Sequence, residues 1–137
     1  MSINDKPANI YLLKILTMTK RLQPQVKLIA RIAFFIYAAL VVWASVRPGG
    51  GPQPIEHFDK LMHFVFYGTF AVIAAWCTDQ LKTFIQLAAF IIVYGILMEV
   101  LQSFVPSRFM SFADIVANSL GVVTACLLLI KWRRFLQ

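Results

Sequence analysis

Apolar residues run almost unbroken through four stretches of this chain, roughly 28–46, 61–78, 84–104 and 112–131. Each is close to the ~20 residues that a helix rising 1.5 Å per residue needs to cross a ~30 Å hydrocarbon core. The runs are continuous rather than alternating with period two, which excludes the strands of a membrane β-barrel. Short polar breaks separate them: "RPGGGPQPIEHFD", then "DQLK", then "VPSRFMS". The second and fourth runs contain polar residues of their own, so their ends are less sharply marked. The pattern predicts an all-α, polytopic membrane protein, a bundle of four transmembrane helices over 28–131.

Composition agrees. Of the 137 residues 60% are hydrophobic and only 14% charged, with a mean hydropathy of +0.74. A soluble domain has about a quarter of its residues charged, so this chain has too little polar surface to face water on all sides. The charge it does carry is asymmetric. Lys6, Lys14, Lys20, Arg21, Lys27 and Arg31 precede or open the first run, Lys82 lies in the second break, and Lys131, Arg133 and Arg134 follow the fourth. The other side holds only Arg47, Lys60 and Arg108. The positive-inside bias then places both termini in the cytoplasm of a multi-pass protein, with the first and third connections outside. The net charge of +7 follows from that topology and from attraction to anionic lipid headgroups. Nucleic acid is not an expected partner.

Outside the spans, residues 1–27 read as a cytoplasmic segment in which "NIYLLKILTMTKRLQ" has the makings of an interfacial amphipathic helix, and 132–137 as a basic cytoplasmic tail. The first run has no convincing cleavage site behind it and is expected to be a retained anchor. Cys77 and Cys126 have no CxxC partner and fall near the cytoplasmic ends of their spans, so free thiols are expected. No Walker loop, dinucleotide fingerprint or HExxH sequence is present.

The polar residues inside the runs are not scattered. Asp59, His63 and Tyr67 recur at four-residue spacing on one face of the second span. Gly95, Glu99 and Gln102 in the third span, and Asp114, Asn118 and Gly121 in the fourth, both follow i, i+4, i+7. Under the predicted topology all three stripes lie in the outer half of the membrane, with Arg108 on the connection between the last two. Glu99 is five residues below Phe104, about 7–8 Å along the axis. An ionised group at mid-bilayer costs about 2.5–3.5 kcal/mol even on the lenient insertion scale, so these side chains should face one another or a wet cavity. Gly95 and Gly121 on the same stripes would let helix backbones approach closely. Polar side chains that merely glue helices together contribute about 0.6 kcal/mol each, a small return for two carboxylates, a histidine and an arginine. A polar pocket opening outward accounts for them better, with a structural hydrogen-bonding role the alternative for Gln102 and Asn118, and His57 a loop residue without a role.

The segments "DKLMHFVFYG" and "YGILMEVLQSFVPSRFMSFADIVANSLG" resemble the VanZ-like family of small bacterial membrane proteins, named after an accessory protein of teicoplanin resistance. The resemblance rests on Asp59, Lys60, His63, Phe64 and Tyr67; on Glu99 and Gln102; on Pro106 and Arg108; and on Asp114, Asn118 and Gly121, and it covers about 28–131. Ser107 stands where a glycine is often found, and Ala125 where a second glycine often follows. The resemblance implies residence in the bacterial cytoplasmic membrane and a role at its outer face, where the name-giving member lowers susceptibility to a lipoglycopeptide.

The expected function is therefore to bind or modify a cell-envelope or lipid-linked anionic ligand at the outer leaflet, with membrane lipids or a lipid-linked envelope precursor as partners. Arg108 and Lys60 would neutralise phosphate or carboxylate, Arg108 being suited to bidentate contact. Asp59, Gln102, Asn118 and Tyr67 would complete the ligand site. Glu99, Asp114 and His63 form an acid–base trio that general acid–base chemistry would use, although Ser103, Ser107 and Ser111 stand in no activating motif that would make one a nucleophile. The other reading is a non-catalytic accessory protein that sequesters a lipid or antibiotic or modulates an envelope enzyme. A metal held by His63, Glu99 and Asp114 is chemically admissible, but with one histidine available neither a metal nor any other cofactor is expected.

Overall fold

A computed structural model of the chain describes residues 23–48, 58–106 and 108–135. The amphipathic segment expected before Gln23, together with His57 and Ser107, lies outside the described residues. The described residues form four helices and no strand: α1 (Pro24–Ser45), α2 (Phe58–Trp76), α3 (Leu81–Gln102) and α4 (Phe112–Phe135). All four are long and apolar enough to cross a membrane, and a 22-residue helix is about 33 Å long. The protein is an all-helical multi-pass membrane protein, as the hydrophobic pattern predicts.

The helix limits differ from the apolar runs for local reasons. α1 begins at Pro24, four residues before the run, because proline at N1 has no N–H to leave unsatisfied. The polar Gln25 and Lys27 therefore lie on its first turn rather than outside it. α2 likewise starts at Phe58, ahead of its run, so Asp59 and Lys60 are helical. α4 continues beyond Lys131 to Phe135, drawing Arg133 into the bundle instead of leaving it in a tail. Its start is set by Ser111, whose Oγ accepts the Asp114 backbone N–H at 3.3 Å, an N-cap.

α1 and α3 run antiparallel to α2 and α4. α2 and α3 each pack on all three other helices, whereas α1 and α4 pack on α2 and α3 only. The closest pair is α2 with α4, and its cause is a pair of glycines. A Cβ on Gly121 would overlap the carbonyl oxygen of Phe64, and one on Gly68 would come within 3.3 Å of the Gly121 carbonyl oxygen. Lipid tails are as apolar as leucine, so membrane helices associate largely through such close approach of backbones. The stretch Ala71, Ala74 and Ala75 extends the small-residue face of α2 and is buried. Phe70, fully buried, anchors the aromatic centre: its ring lies 4.7 Å from Phe34, 5.2 Å from Tyr37 and 6.0 Å from Tyr94. Two tyrosine hydroxyls hold α1, Tyr37 donating to the Phe66 carbonyl at 3.0 Å and Tyr94 to the Ala38 carbonyl at 2.7 Å. Outward faces remain apolar, with Ile29, Phe35, Val93, Leu127 and Leu128 all exposed, as side chains bathed in lipid would be.

Candidate functional site

The three polar stripes meet at the end of the bundle that carries the α3–α4 connection. His63 is the hub. Its Nδ1 lies 3.0 Å from Asn118 Oδ1 on α4 and 3.8 Å from Glu99 Oε1 on α3, and its Nε2 lies 3.9 Å from Asp114 Oδ2. Asn118 is an acceptor through Oδ1, so it takes the Nδ1–H and leaves Nε2 with its lone pair directed towards Asp114. Glu99, only 1% exposed, receives the backbone N–H of Ser111 on Oε2 at 3.4 Å. Its other oxygen, Oε1, is buried without a hydrogen bond, and so is Asn118 Nδ2. Buried polar atoms left this way are uncommon and each needs a reason.

A cavity of about 650 Å³ opens beside the cluster. Asp59, His63, Tyr67, Gln102, Arg108 and Asp114 form its polar end, and Leu40, Val41, Trp43, Ala44, Phe58, Met62 and Phe66 form an apolar flank between α1 and α2. Glu99 and Asn118 lie behind His63 rather than on the wall. Arg108 is half-buried, and among the described residues no carboxylate lies within ion-pair distance of its guanidinium. A guanidinium offers five N–H donors in a planar fork that matches a carboxylate or phosphate.

Lys60, expected to help neutralise a ligand, has two carboxylates of the chain as neighbours. Its Nζ is 2.9 Å from Asp59 Oδ2 and 3.5 Å from Asp114 Oδ1, so it bridges α2 to α4 and neutralises the chain's own carboxylates. Position 60 follows the stripe residue Asp59 and is turned about 100° from it around the helix, towards α4. Two of the serines weighed as nucleophiles are also committed elsewhere. Ser103 Oγ donates to the Val100 carbonyl at 2.7 Å, and Ser111 caps α4. The spacing Ser111-x-x-Asp114 before an apolar run is the sequence signal of such a cap. Gly95 does permit a close approach, although to a side chain: a Cβ there would lie 2.8 Å from Tyr67 Cε1. Gly68 and Tyr37, which shape the bundle around the cavity, lie off the three stripes and are not found by stripe reasoning.

The opposite end, where α2 passes into α3, is built from basic side chains and backbone carbonyls. Arg133 Nη2 donates to the Ala75 carbonyl and, at 3.0 Å, to the Thr78 carbonyl, and its guanidinium lies 5.3 Å from the Phe84 ring centre. Arg31 Nε donates to the Cys77 carbonyl at 3.4 Å, and Lys27 pairs with Asp79. These cations cap the C-terminus of α2, where carbonyls lack helical partners and the helix dipole is negative. Cys77 and Cys126 are free thiols, and burial pushes the Cys77 thiol above its ordinary range.

The family model described as VanZ/LLP1 matches residues 7–134, nearly the whole chain, and the chain belongs to that family. No curated protein and no solved structure matches it.

Proposed function

We propose, from the premise of a VanZ-like membrane protein, that the cavity receives the anionic headgroup of a cell-envelope or lipid-linked molecule in the outer half of the bilayer. The observation that carries this reading is Arg108. It stands at the polar end of a cavity whose remaining length is apolar, it has no carboxylate partner among the described residues, and the apolar flank between α1 and α2 offers a hydrocarbon chain a place beside the headgroup. Guanidinium binding of phosphate or carboxylate is bidentate and charge-assisted. Removing one partner of a buried charge pair costs about 2–5 kcal/mol, which is about thirtyfold or more in affinity. In nanodiscs, a polyprenyl phosphate should therefore bind the protein, the uncharged polyprenol should not compete, and Arg108→Gln should lose at least tenfold. Equal binding of alcohol and phosphate, or an unaffected Arg108→Gln variant, overturns the reading.

A second reading, modification of that ligand, is favoured by one specific feature: His63 sits between Glu99 and Asp114 within reach of both. Such a trio can take a proton from a nucleophile and return it to a leaving group. Turnover of a lipid-linked substrate that disappears in Glu99→Gln or Asp114→Asn supports catalysis. Binding with no turnover by the wild type supports instead a non-catalytic protein that sequesters its ligand or modulates an envelope enzyme, the role closest to teicoplanin resistance. The outer placement has its own test: Gln53→Cys should be labelled by an impermeant thiol reagent on intact cells, and protection there places the cavity on the cytoplasmic side.

A further inference from the structure

We infer that His63, Glu99 and Asp114 hold a divalent transition-metal ion of the Zn²⁺ type. One imidazole nitrogen and one oxygen from each carboxylate lie within 4.8 Å of one another, and they come from three different helices. Atoms that share a metal at about 2.0–2.2 Å are separated by about 3–4.4 Å, so sub-ångström adjustments of these side chains bring them onto one ion. His63 Nε2 and Asp114 Oδ2, 3.9 Å apart, are too far for a hydrogen bond and suited to neighbours in a coordination sphere, while Glu99 Oε1 lies 3.8 Å from the Nδ1 side of the same ring and would swing towards the ion.

Two further observations point to a cation rather than to a plain acidic cluster. Glu99 is 1% exposed, yet its Oε1 has no hydrogen-bond partner and is turned towards His63. Among the described residues no lysine or arginine pairs with that oxygen, and the lysine of the site is shared between Asp59 and Asp114. Asn118, 2% exposed, accepts from His63 Nδ1 at 3.0 Å. Metal-bound histidines have their second ring nitrogen fixed in this way, which sets the tautomer and aims the other nitrogen at the ion. The expectation of no metal rested on the presence of a single histidine. One imidazole with two carboxylates is nevertheless a donor set of intermediate hardness, harder than thiolate sites and softer than the all-oxygen sites of Mg²⁺ and Ca²⁺. His63 and Asp114 both line the cavity, so the open coordination position faces it. There the ion would meet a phosphate oxygen while Arg108 holds the others. That last role rests on the ligand reading above; binding of the ion does not.

The test is a titration of the metal-stripped, detergent-purified full chain with Zn²⁺ alone, with Co²⁺ as the spectroscopic substitute and no lipid added. One Zn²⁺ per chain is expected, with Co²⁺ giving visible ligand-field bands of low symmetry. Glu99→Gln and Asp114→Asn should each weaken binding at least tenfold, His63→Ala should abolish the bands, and Asn118→Leu should weaken binding about 10–100-fold through the ring it orients. Glu99→Asp keeps the carboxylate and should retain the Co²⁺ spectrum at reduced affinity, which separates loss of a ligand from loss of the fold. A Cys77→Ser, Cys126→Ser double variant should bind as the wild type does. No stoichiometric binding, binding that survives Glu99→Gln unchanged, or binding that disappears with the two cysteines overturns the inference. Because lipid is absent, each of those results leaves the Arg108 reading intact. Conversely, a bound metal without phosphate-lipid affinity removes that reading and leaves the metal site.

Discussion

The two ends of this bundle use polar residues in opposite ways. Where α2 turns into α3, Arg31 and Arg133 end on backbone carbonyls, Lys27 ends on Asp79, and among the described residues Arg133 Nη1 is the buried side-chain atom left over. At the α3–α4 end, Glu99 Oε1, Asp114 Oδ1 and Asn118 Nδ2 are all buried without hydrogen bonds, and Arg108 faces a cavity. The first end satisfies what a helix terminus lacks. The second, among the described residues, leaves three buried polar atoms without hydrogen bonds beside the cavity. Under the proposed ligand site, stability and binding capacity are divided along the bundle axis, and substitutions of similar chemistry should have opposite effects at the two ends.

The largest effect should come from the seam that both ends share. Gly121→Leu drives a side chain into the Phe64 backbone, which cannot rotate away. Overpacking costs about 1–3 kcal/mol or more, and here it separates α2 from α4, so the expected result is loss of the monodisperse species in size-exclusion chromatography. Gly68→Ala, meeting its nearest atom at 3.3 Å, should be milder. Next comes Arg133→Ala, which removes two hydrogen bonds from a charged donor. At about 1.5–3 kcal/mol for such a bond, thermal unfolding in detergent should fall clearly. At the other end, Glu99→Gln should leave the midpoint unchanged or raise it by about 1 kcal/mol equivalent, because a buried charge disappears while the shape is kept. If Glu99→Gln is as destabilising as Arg133→Ala, the division of labour is wrong. Lys27→Ala, which breaks a part-exposed ion pair, should cost about 0.2–1 kcal/mol. The smallest effect is kinetic. With its thiol raised by burial, Cys77 has less thiolate at neutral pH than an ordinary cysteine, so its labelling should be slow there and should recover only as pH rises beyond the usual thiol range.

The spans and the convergence of the stripes were legible because both depend on period alone. Apolar length gives the helix, and i, i+4, i+7 gives the face that must avoid lipid. What period cannot supply is pairing. Nothing in the spacing of Gly68 says that it meets Gly121, since the parallel contact of α2 with α4 is a property of how four helices nest. The contact of Lys60 with Asp114 is hidden for the same reason: the two lie 54 positions apart and meet only once α4 lies against α2. Arg133 read as a topological charge, since the helix that carries it inward was expected to have ended. Ser111, by contrast, carries its capping signal in the sequence, as Ser111-x-x-Asp114 before an apolar run.

Tyr37 and Tyr94 fix α1 through the carbonyls of Phe66 and Ala38, and carbonyls belong to every residue type. The grip on α1 is therefore indifferent to which side chains occupy Leu40, Trp43 and Ala44 one or two turns further on. Those positions can be exchanged without shifting the helix or touching the charged cluster across the cavity. Under the proposed lipid reading, one half of the chamber is free to be recut for hydrocarbon chains of different bulk, while the other half keeps a single chemistry.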